Sequence, residues 1–347
     1  MGKIRGFAPA TIANVGPGFD VIGLAIDKPG DEVEAEFTSE FIGVRLTEII
    51  NNQGLPLGPT NVVQAVGQQL YDSIRPYGKD GIKVTLYKNM NIGTGMGSSA
   101  SSEAAVAKAL LGLLDYPENF SSNPLKESLV YGEKIATGSP HPDNVLPSYY
   151  GGALVIHDEH NLDYIRFECK DSIYFVVCAP ELRLDTRDMR KALPDMNKLV
   201  NLTRQLLKER ANIRNHSYDL SDLNLDGIVD GISEDTADRY LKGSLQVMYG
   251  LRDNDAKLLG AGILKDGIVT PIRGRFIKGF DDVIHAAHQE NAYGSSISGS
   301  GPSLFTVAPS SKAGYKIGDA MVKAWEKHGV NASIYVSPVN SQGAKLI

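Results

Sequence analysis

The 347-residue chain is short of cysteine, of positive charge and of long apolar runs, and each shortage closes off a class of function. Only Cys169 and Cys178 occur, nine positions apart in an apolar stretch that reads as strand. That placement suits buried thiols better than a disulfide or a metal pair. Lys plus Arg number 35 against 41 Asp plus Glu, a formal charge of −6, and no basic stripe or tail gathers for a nucleic acid. No apolar run approaches the roughly 20 residues that a bilayer span needs. The opening Met-Gly-Lys-Ile-Arg-Gly-Phe-Ala lacks the long apolar core of a secretory signal. The expected setting is therefore a reducing cytoplasm, with no membrane partner. Internal repeats and low-complexity tracts are missing too. With 42% hydrophobic and 22% charged residues, the chain reads as a soluble globular protein of one large domain or two ordinary ones.

What is there mixes both periodicities. Strands are expected at 32–37, 81–87, 153–157, 164–167, 173–179 and 303–307. Helices are expected at 100–114, 125–136, 198–210, 240–252 and around 281–290, several ended by glycine or proline. Residues 211–238 are polar and read as an inserted surface segment. No regular βαβ rhythm emerges, which favours an α+β fold over a doubly wound sheet.

The most chemically pointed stretch is Asn91, Ile92, Gly93, Thr94, Gly95, Met96, Gly97, Ser98, Ser99, Ala100 and Ser101, directly before a good helix. Glycine lets a backbone turn its N–H groups inward and lets a ligand approach closely. The helix start adds open N–H groups and partial positive charge, so the segment reads as an anion site, phosphate above all. Ser98 and Ser99 can donate to phosphate oxygens or offer a hydroxyl to Mg²⁺. No Gly-Lys-Ser/Thr closes the loop, so it is no Walker A motif, and glycines at every second position exclude a dinucleotide fingerprint. Read alone, the same residues also suit a turn that merely caps a helix. Two further glycine-punctuated segments favour the site: 8–20, with Asn14 and Asp20, and 296–303, which leads into a strand.

These three segments resemble, in order and spacing, the three motifs of the GHMP kinases. The central one is similar to Pro-x-x-x-Gly-Leu-Gly-Ser-Ser-Ala, with Asn91 in place of Pro and Met96 in place of Leu. Neither departure removes a donor. Four segments resemble the branch of the family that phosphorylates L-homoserine: 13–23; Gly138-Ser-Pro-His-Pro-Asp-Asn-Val-Leu-Pro147 with Gly151 and Gly152; Thr186-x-x-x-Arg190-x-x-Leu193-Pro194; and 266–273. The resemblance implies the GHMP kinase fold, with an N-terminal domain like ribosomal protein S5 domain 2 (1–168) and a ferredoxin-like C-terminal domain (169–347). It also implies ATP and Mg²⁺ as cofactors, a step towards threonine, and a homodimer as the family-based expectation.

By the same resemblance, Ser99 and Glu133 hold the metal, which suits a hard cation that prefers oxygen. Asn61 lies beside the adenine. The carboxylate of a zwitterionic amino acid calls for arginine, and Arg190 and Arg273 are the candidates. Asn14, Asp20, His141 and Asn144 are acceptors for its ammonium and hydroxyl groups, and Thr186 belongs to the same substrate set. Asp20 is nearest the reacting hydroxyl, as a base or, preferably, as the group that orients it. Two rival readings stand beside this one: a sister kinase for another small alcohol, and a nucleotide-binding regulator without catalysis. One competing motif, Asp222-Leu-Asn-Leu-Asp-Gly, resembles the start of a calcium loop. Its closing acid falls one place late, at Glu234 instead of Ser233, so a polar Asx-turned surface loop is the expectation.

Overall fold

Alternating apolar residues in the first half of the chain build six strands of a seven-stranded sheet. The computed structural model describes residues 2–117, 123–138, 140–169 and 173–347; Ser139, in the turn expected before His141, lies outside them. Strands β1 (Ile4–Ala13) and β2 (Ile22–Thr38) form a long antiparallel pair, with Ile4 opposite Ala35 and Ala13 opposite Gly23. Next, β3 (Gly43–Ile50) leads through α1 (Val62–Ile74) into β4 (Gly81–Tyr87), which runs parallel to β3 and antiparallel to β2. Helices α2 (Ser98–Leu113), α3 (Asn123–Thr137) and α4 (Pro142–Tyr150) follow. Then β5 (Ala153–Asp158) pairs with the start of β2 and with β6 (Asp163–Phe167). Helix α2 is rich in small Ala and Ser residues, which let it be buried on most of its surface against β1, β2 and the neighbouring helices.

The second half begins with β7 (Tyr174–Pro180). A run of helices comes next: α5 (Thr186–Lys191), α6 (Asn197–Arg210), α7 (Glu234–Asp253), α8 (Ala256–Ile263), α9 (Val269–Gly274) and α10 (Phe280–Gln289). Strands β8 (Gly294–Ile297) and β9 (Leu304–Ala308), helix α11 (Ser311–Glu326) and strands β10 (Ala332–Pro338) and β11 (Lys345–Leu346) complete the chain. The second sheet has the order β10-β7-β9-β8 with every neighbour antiparallel, the ferredoxin-like arrangement. Strand β11 returns to the first sheet and pairs with β1, Gly6 opposite Leu346. The halves also share one core, which runs from Ile12, Phe19 and Leu24 to Phe175, Tyr240, Leu245 and Phe305.

Three expectations need correction. The His-Pro-Asp-Asn run at 141–144, expected as a turn, instead opens helix α4, with Pro142 at the first helical position, where its missing N–H costs nothing. Helix α7 starts six residues before the expected 240, at Glu234, because the Ser233 side chain caps the Thr236 N–H at 3.3 Å. The 211–238 segment carries more than polar surface: Leu220, Leu225, Ile228 and Val229 are buried in the shared core. Arg252 donates to the carbonyls of Ala211 and Ile213 at 3.2 and 2.6 Å, and His216 stacks on Tyr249 at 4.5 Å. The Asn224 side chain accepts from Asp226 N at 3.0 Å, an Asx turn within the calcium-like run. Cys169 and Cys178 are buried free thiols, which burial pushes up to about 12.

One close approach positions the site. A Cβ on Gly23 would stand 1.7 Å from the Asp143 carbonyl oxygen, so β2 and the start of α4 meet backbone to backbone. Gly23→Ala should therefore lose about 3 kcal/mol, the upper range for overpacking. Urea unfolding would register the loss, and an unchanged midpoint would refute this contact.

Candidate active site

Left-handed backbone explains why glycines fall at every second place in the 91–97 loop. Gly93, Gly95 and Gly97 have φ of +70°, +78° and +66°, which other residues reach only with strain. Crowding makes two of them indispensable. A Cβ on Gly95 would meet the Ser298 carbonyl oxygen at 2.3 Å, and one on Gly97 would meet Thr11 Oγ1 at 2.1 Å. Hydrogen bonds join the three glycine-punctuated segments. Thr11 N donates to Met96 O at 3.1 Å, Ser303 N to Thr94 O at 3.1 Å, Ser298 Oγ to Gly95 O at 2.8 Å, and Gly299 N to Ala13 O at 3.0 Å.

The assembled loop faces a cavity of about 690 Å³. Ile92, Gly93, Thr94, Gly95, Gly97, Ser98 and Ser99 line it. Asn91 is exposed, outside the lining, and its carbonyl accepts from Thr94 Oγ1 at 3.2 Å. Met96 and Ala100 are packed into the cores, and Ser101 Oγ donates to Ala8 O at 2.7 Å and accepts from Asp31 N at 2.8 Å. Gly97 precedes α2 without a side-chain cap, so first-turn N–H groups of the helix remain open at the cavity. Ser98 Oγ is buried there with no hydrogen-bond partner. An orphaned hydroxyl beside open helix N–H groups is a donor set that fits a phosphate.

Beneath the loop lies a buried ion pair. Lys88, just past β4, directs Nζ to Asp31, to Ser98 O at 2.9 Å and to Ser102 Oγ at 3.1 Å. Asp31 also accepts from Asn89 N at 2.9 Å and Met90 N at 3.0 Å. Burial lowers the Lys88 pKa and Asp31 opposes that shift. An ammonium has three donors, and all three are engaged. Lys88 therefore braces the start of α2 and is not a free phosphate ligand.

On the cavity side of α2, Ser99 Oγ donates to Glu133 Oε1 at 2.9 Å. Burial pushes Glu133 up to about 7, against the opposing hydrogen bonds from Ser99 and Glu103. Glu103, fully buried behind it, is pushed well above the carboxylate range by burial and by Glu133. Gly132 makes room for Glu103: a Cβ there would lie 2.6 Å from the Glu103 carboxyl carbon. Ser99 and Glu133 thus offer oxygens at the cavity wall, a hard donor set that fits Mg²⁺.

The opposite wall is built by the 14–20 turn and by α4, α5 and α9. Asn14 and Asp20 are both left-handed, a conformation their short polar side chains tolerate. Asn14 closes the turn, accepting from Asp20 N at 2.8 Å and donating to Gly299 O at 3.0 Å. Arg190 on α5 pairs with Asp20 at 2.6 Å, and Arg273 on α9 donates to Gly299 O at 3.0 Å. Both guanidinium groups lie over the Phe19 ring, 5.2 and 5.0 Å from its centre. Burial lowers Arg273 to about 10, still charged at neutral pH. Thr186 Oγ1 lies 3.1 Å from Ser300 Oγ, and Asn144 Oδ1 accepts from Thr11 Oγ1 at 3.1 Å. His141 is pushed down by burial, with Asp20 opposing and both arginines adding to the shift, so the imidazole is neutral. Asn61 also lines the cavity, but its amide is engaged, accepting from Val63 N at 2.9 Å as the cap of α1 and donating to Pro56 O at 2.9 Å. Leu55, Pro56, Val62, Leu86, Ile135 and Ala136 form an apolar slot beside it.

Every other expected ligand thus faces one cavity: Asn14, Asp20, Asn61, Ser98, Ser99, Glu133, His141, Asn144, Thr186, Arg190 and Arg273. Sequence reasoning passed over Lys88, Glu103, Asp143, Arg183 and Ser300. Asp143 and Ser300 lie inside segments that drew attention for their neighbours. Asp143 is fully buried with no hydrogen bond on either oxygen, and its carboxyl converges with Asp20 and His141. Those three are the one such trio of possible cation ligands among the described residues.

A glycine loop at a helix start, clamped at the junction of these two sheets, defines a small-molecule phosphotransferase. Residues 60–152 match the family model for the GHMP kinases N terminal domain, and 247–327 match GHMP kinases C terminal. The chain belongs to the GHMP kinase family. A relative from Chlorobium phaeobacteroides named homoserine kinase is 34% identical, with all of both chains covered. Another of that name, from Pyrococcus horikoshii, is 31% identical over 99% of each chain. The crystal structure of homoserine kinase from Cytophaga hutchinsonii matches with a TM-score of 0.84 at 34% identity, covering 99% of this chain and 97% of that one. A mevalonate kinase from L. major shares the fold, with a TM-score of 0.65 at 17% identity over 98% of this chain and 96% of that one.

Two tests follow from the buried charges. Lys88→Met leaves Asp31 without its cation and should cost about 3–5 kcal/mol; adding Asp31→Asn should recover much of it in chemical denaturation. Burial first, then Asp20 and Glu133, push Asp143 up to about 8. The unfolded chain loses this proton near pH 4, whereas the folded protein keeps it to about 8. The resulting stabilisation is full below pH 4 and is lost as pH rises through that window. The melting temperature of the ligand-free protein should fall between pH 5 and 8, and Asp143→Asn should flatten that slope.

Proposed function

We propose that this protein is a homoserine kinase, which transfers the terminal phosphoryl group of ATP to the side-chain hydroxyl of L-homoserine. The products are O-phospho-L-homoserine and ADP, on the way to threonine, in a reducing cytoplasm that suits the two free thiols. The observation that carries this reading is the pair Arg190 and Arg273. They are held over Phe19 and beside Asp20, across one cavity from the glycine loop. A zwitterionic amino acid needs cations for its carboxylate and acceptors for its ammonium group, and this wall has both.

The loop binds the donor through the open N–H groups of α2 and the Ser98 hydroxyl. Ser99 and Glu133 would hold Mg²⁺, which neutralises phosphate charge when bound. The apolar slot at Leu55, Pro56 and Leu86 suits the base. Phosphoryl transfer demands alignment more than covalent chemistry. Asp20, held by its backbone to Asn14 and by its carboxylate to Arg190, is fixed to orient the acceptor hydroxyl. Its early deprotonation is unnecessary for a loose transition state. Neutral His141 and Asn144 add acceptors on the same wall.

A coupled ADP-release assay on homoserine, mevalonate, galactose, serine and threonine tests the reading. Homoserine should turn over well above the others, and a preference for another alcohol overturns the substrate. Arg190→Ala should raise KM for homoserine roughly 10- to 100-fold, as expected for losing hydrogen bonds to a charged group, and leave KM for ATP within about twofold. Equal effects on both would count against carboxylate binding.

A further inference from the structure

We propose that Arg183 is a phosphate-binding residue, closing over the nucleotide's polyphosphate from the side opposite Ser98. The inference rests on the kinase reading above and adds a ligand for its donor half. It starts from the cations that line the cavity: Lys88, Arg183, Arg187, Arg190 and Arg273. Lys88 is fully engaged beneath the loop. Arg187 lies 3.6 Å from Asp185, Arg190 is paired with Asp20, and Arg273 donates to Gly299 O on the acceptor wall. Arg183 has no hydrogen bond or ion pair with any described residue.

Its position is set by the anion loop itself. A Cβ on Gly93 would lie 2.9 Å from Arg183 Cγ and 3.3 Å from its Nε, so the arginine stem crosses the loop at that glycine. The backbone is tied there as well, with Leu184 N directed at Gly93 O at 3.5 Å. An exposed guanidinium carried over a glycine loop has the fork geometry for two phosphate oxygens and lacks a competing carboxylate. The charge balance calls for it. A nucleoside triphosphate carries about four negative charges and one divalent cation cancels only two, in a site where charge stabilisation dominates the chemistry. The same short segment, 183–190, would then grip the donor with Arg183 and the acceptor with Thr186 and Arg190. Glycine at 93 has a second use in this scheme: any side chain there would displace the arginine stem.

The test uses the full-length protein with Arg183→Gln and Arg183→Lys. KM for MgATP should rise about tenfold in Arg183→Gln, the size of one charge-assisted hydrogen bond. The affinity for MgADP, read from the ligand-induced rise in melting temperature without homoserine, should fall by a similar factor. Arg183→Lys should regain part of both, while KM for homoserine and the melting temperature of the ligand-free protein stay unchanged. Unaltered MgATP and MgADP binding overturns the proposal. So does an equal rise in KM for homoserine, or an equal loss in both variants, since either marks Arg183 as a packing brace on Gly93. A wild-type preference for another alcohol would remove the substrate assignment and leave the MgADP result to decide Arg183.

Discussion

Three chain segments meet at Gly95 and Gly97, and the site depends on that meeting. The loop can present its N–H groups to an anion only in a left-handed, strained-for-others conformation, and an isolated peptide would have no reason to keep it. Here the 298–303 segment holds it from one side and Thr11 from the other, with no space for a single added carbon. Lys88 and Asp31 secure it from below, joining the middle of β2 and the end of β4 to the first turn of α2. The cost of burying that pair is offset by its complete set of hydrogen bonds, and the gain is positional. The helix start is fixed relative to the sheet before any ligand arrives.

That rigidity allows the charges to be divided by task. Some are turned inward and neutralise each other, as in Lys88 with Asp31. Others are stacked on an aromatic ring and left at the cavity wall, as in Arg190 and Arg273 over Phe19. Glu103 and Asp143 are a third kind, carboxyls buried so deeply that the folded protein holds their protons well above the usual range. Without those protons, Glu103, Glu133, Asp143 and Asp20 would crowd negative charge beside a site for a highly anionic nucleotide.

The donor loop was legible in the sequence because its backbone conformation needs glycine at alternate places, and no other residue substitutes cheaply. The second sheet's strand at 173–179 and the helix at 198–210 were legible from their periodicity. Other elements were hidden by the same close packing that makes them useful. Helix α11 contains Gly314 and Gly318, which propensity reads as breakers; a Cβ on Gly314 would stand 2.7 Å from Val336, so the glycines let the helix lie on the second sheet. Helix α4 was masked by the two prolines of its His-Pro-Asp-Asn-Val-Leu-Pro run. Lys88 and Arg183 could not be told apart on paper, since both are basic residues near a motif. Only the fold shows that one is enclosed by partners and the other has none among the described residues.

The hydrogen bond from Asn14 to Gly299 spans 285 positions of the chain. During synthesis the glycine loop therefore emerges long before the segment that shapes it. Contacts this distant in sequence close late, after the loop-closure entropy has been met. A nascent or truncated chain would carry every residue of its phosphate loop and still lack the shaped site. The 91–97 loop thus reaches its final shape only after residue 299 has joined the chain.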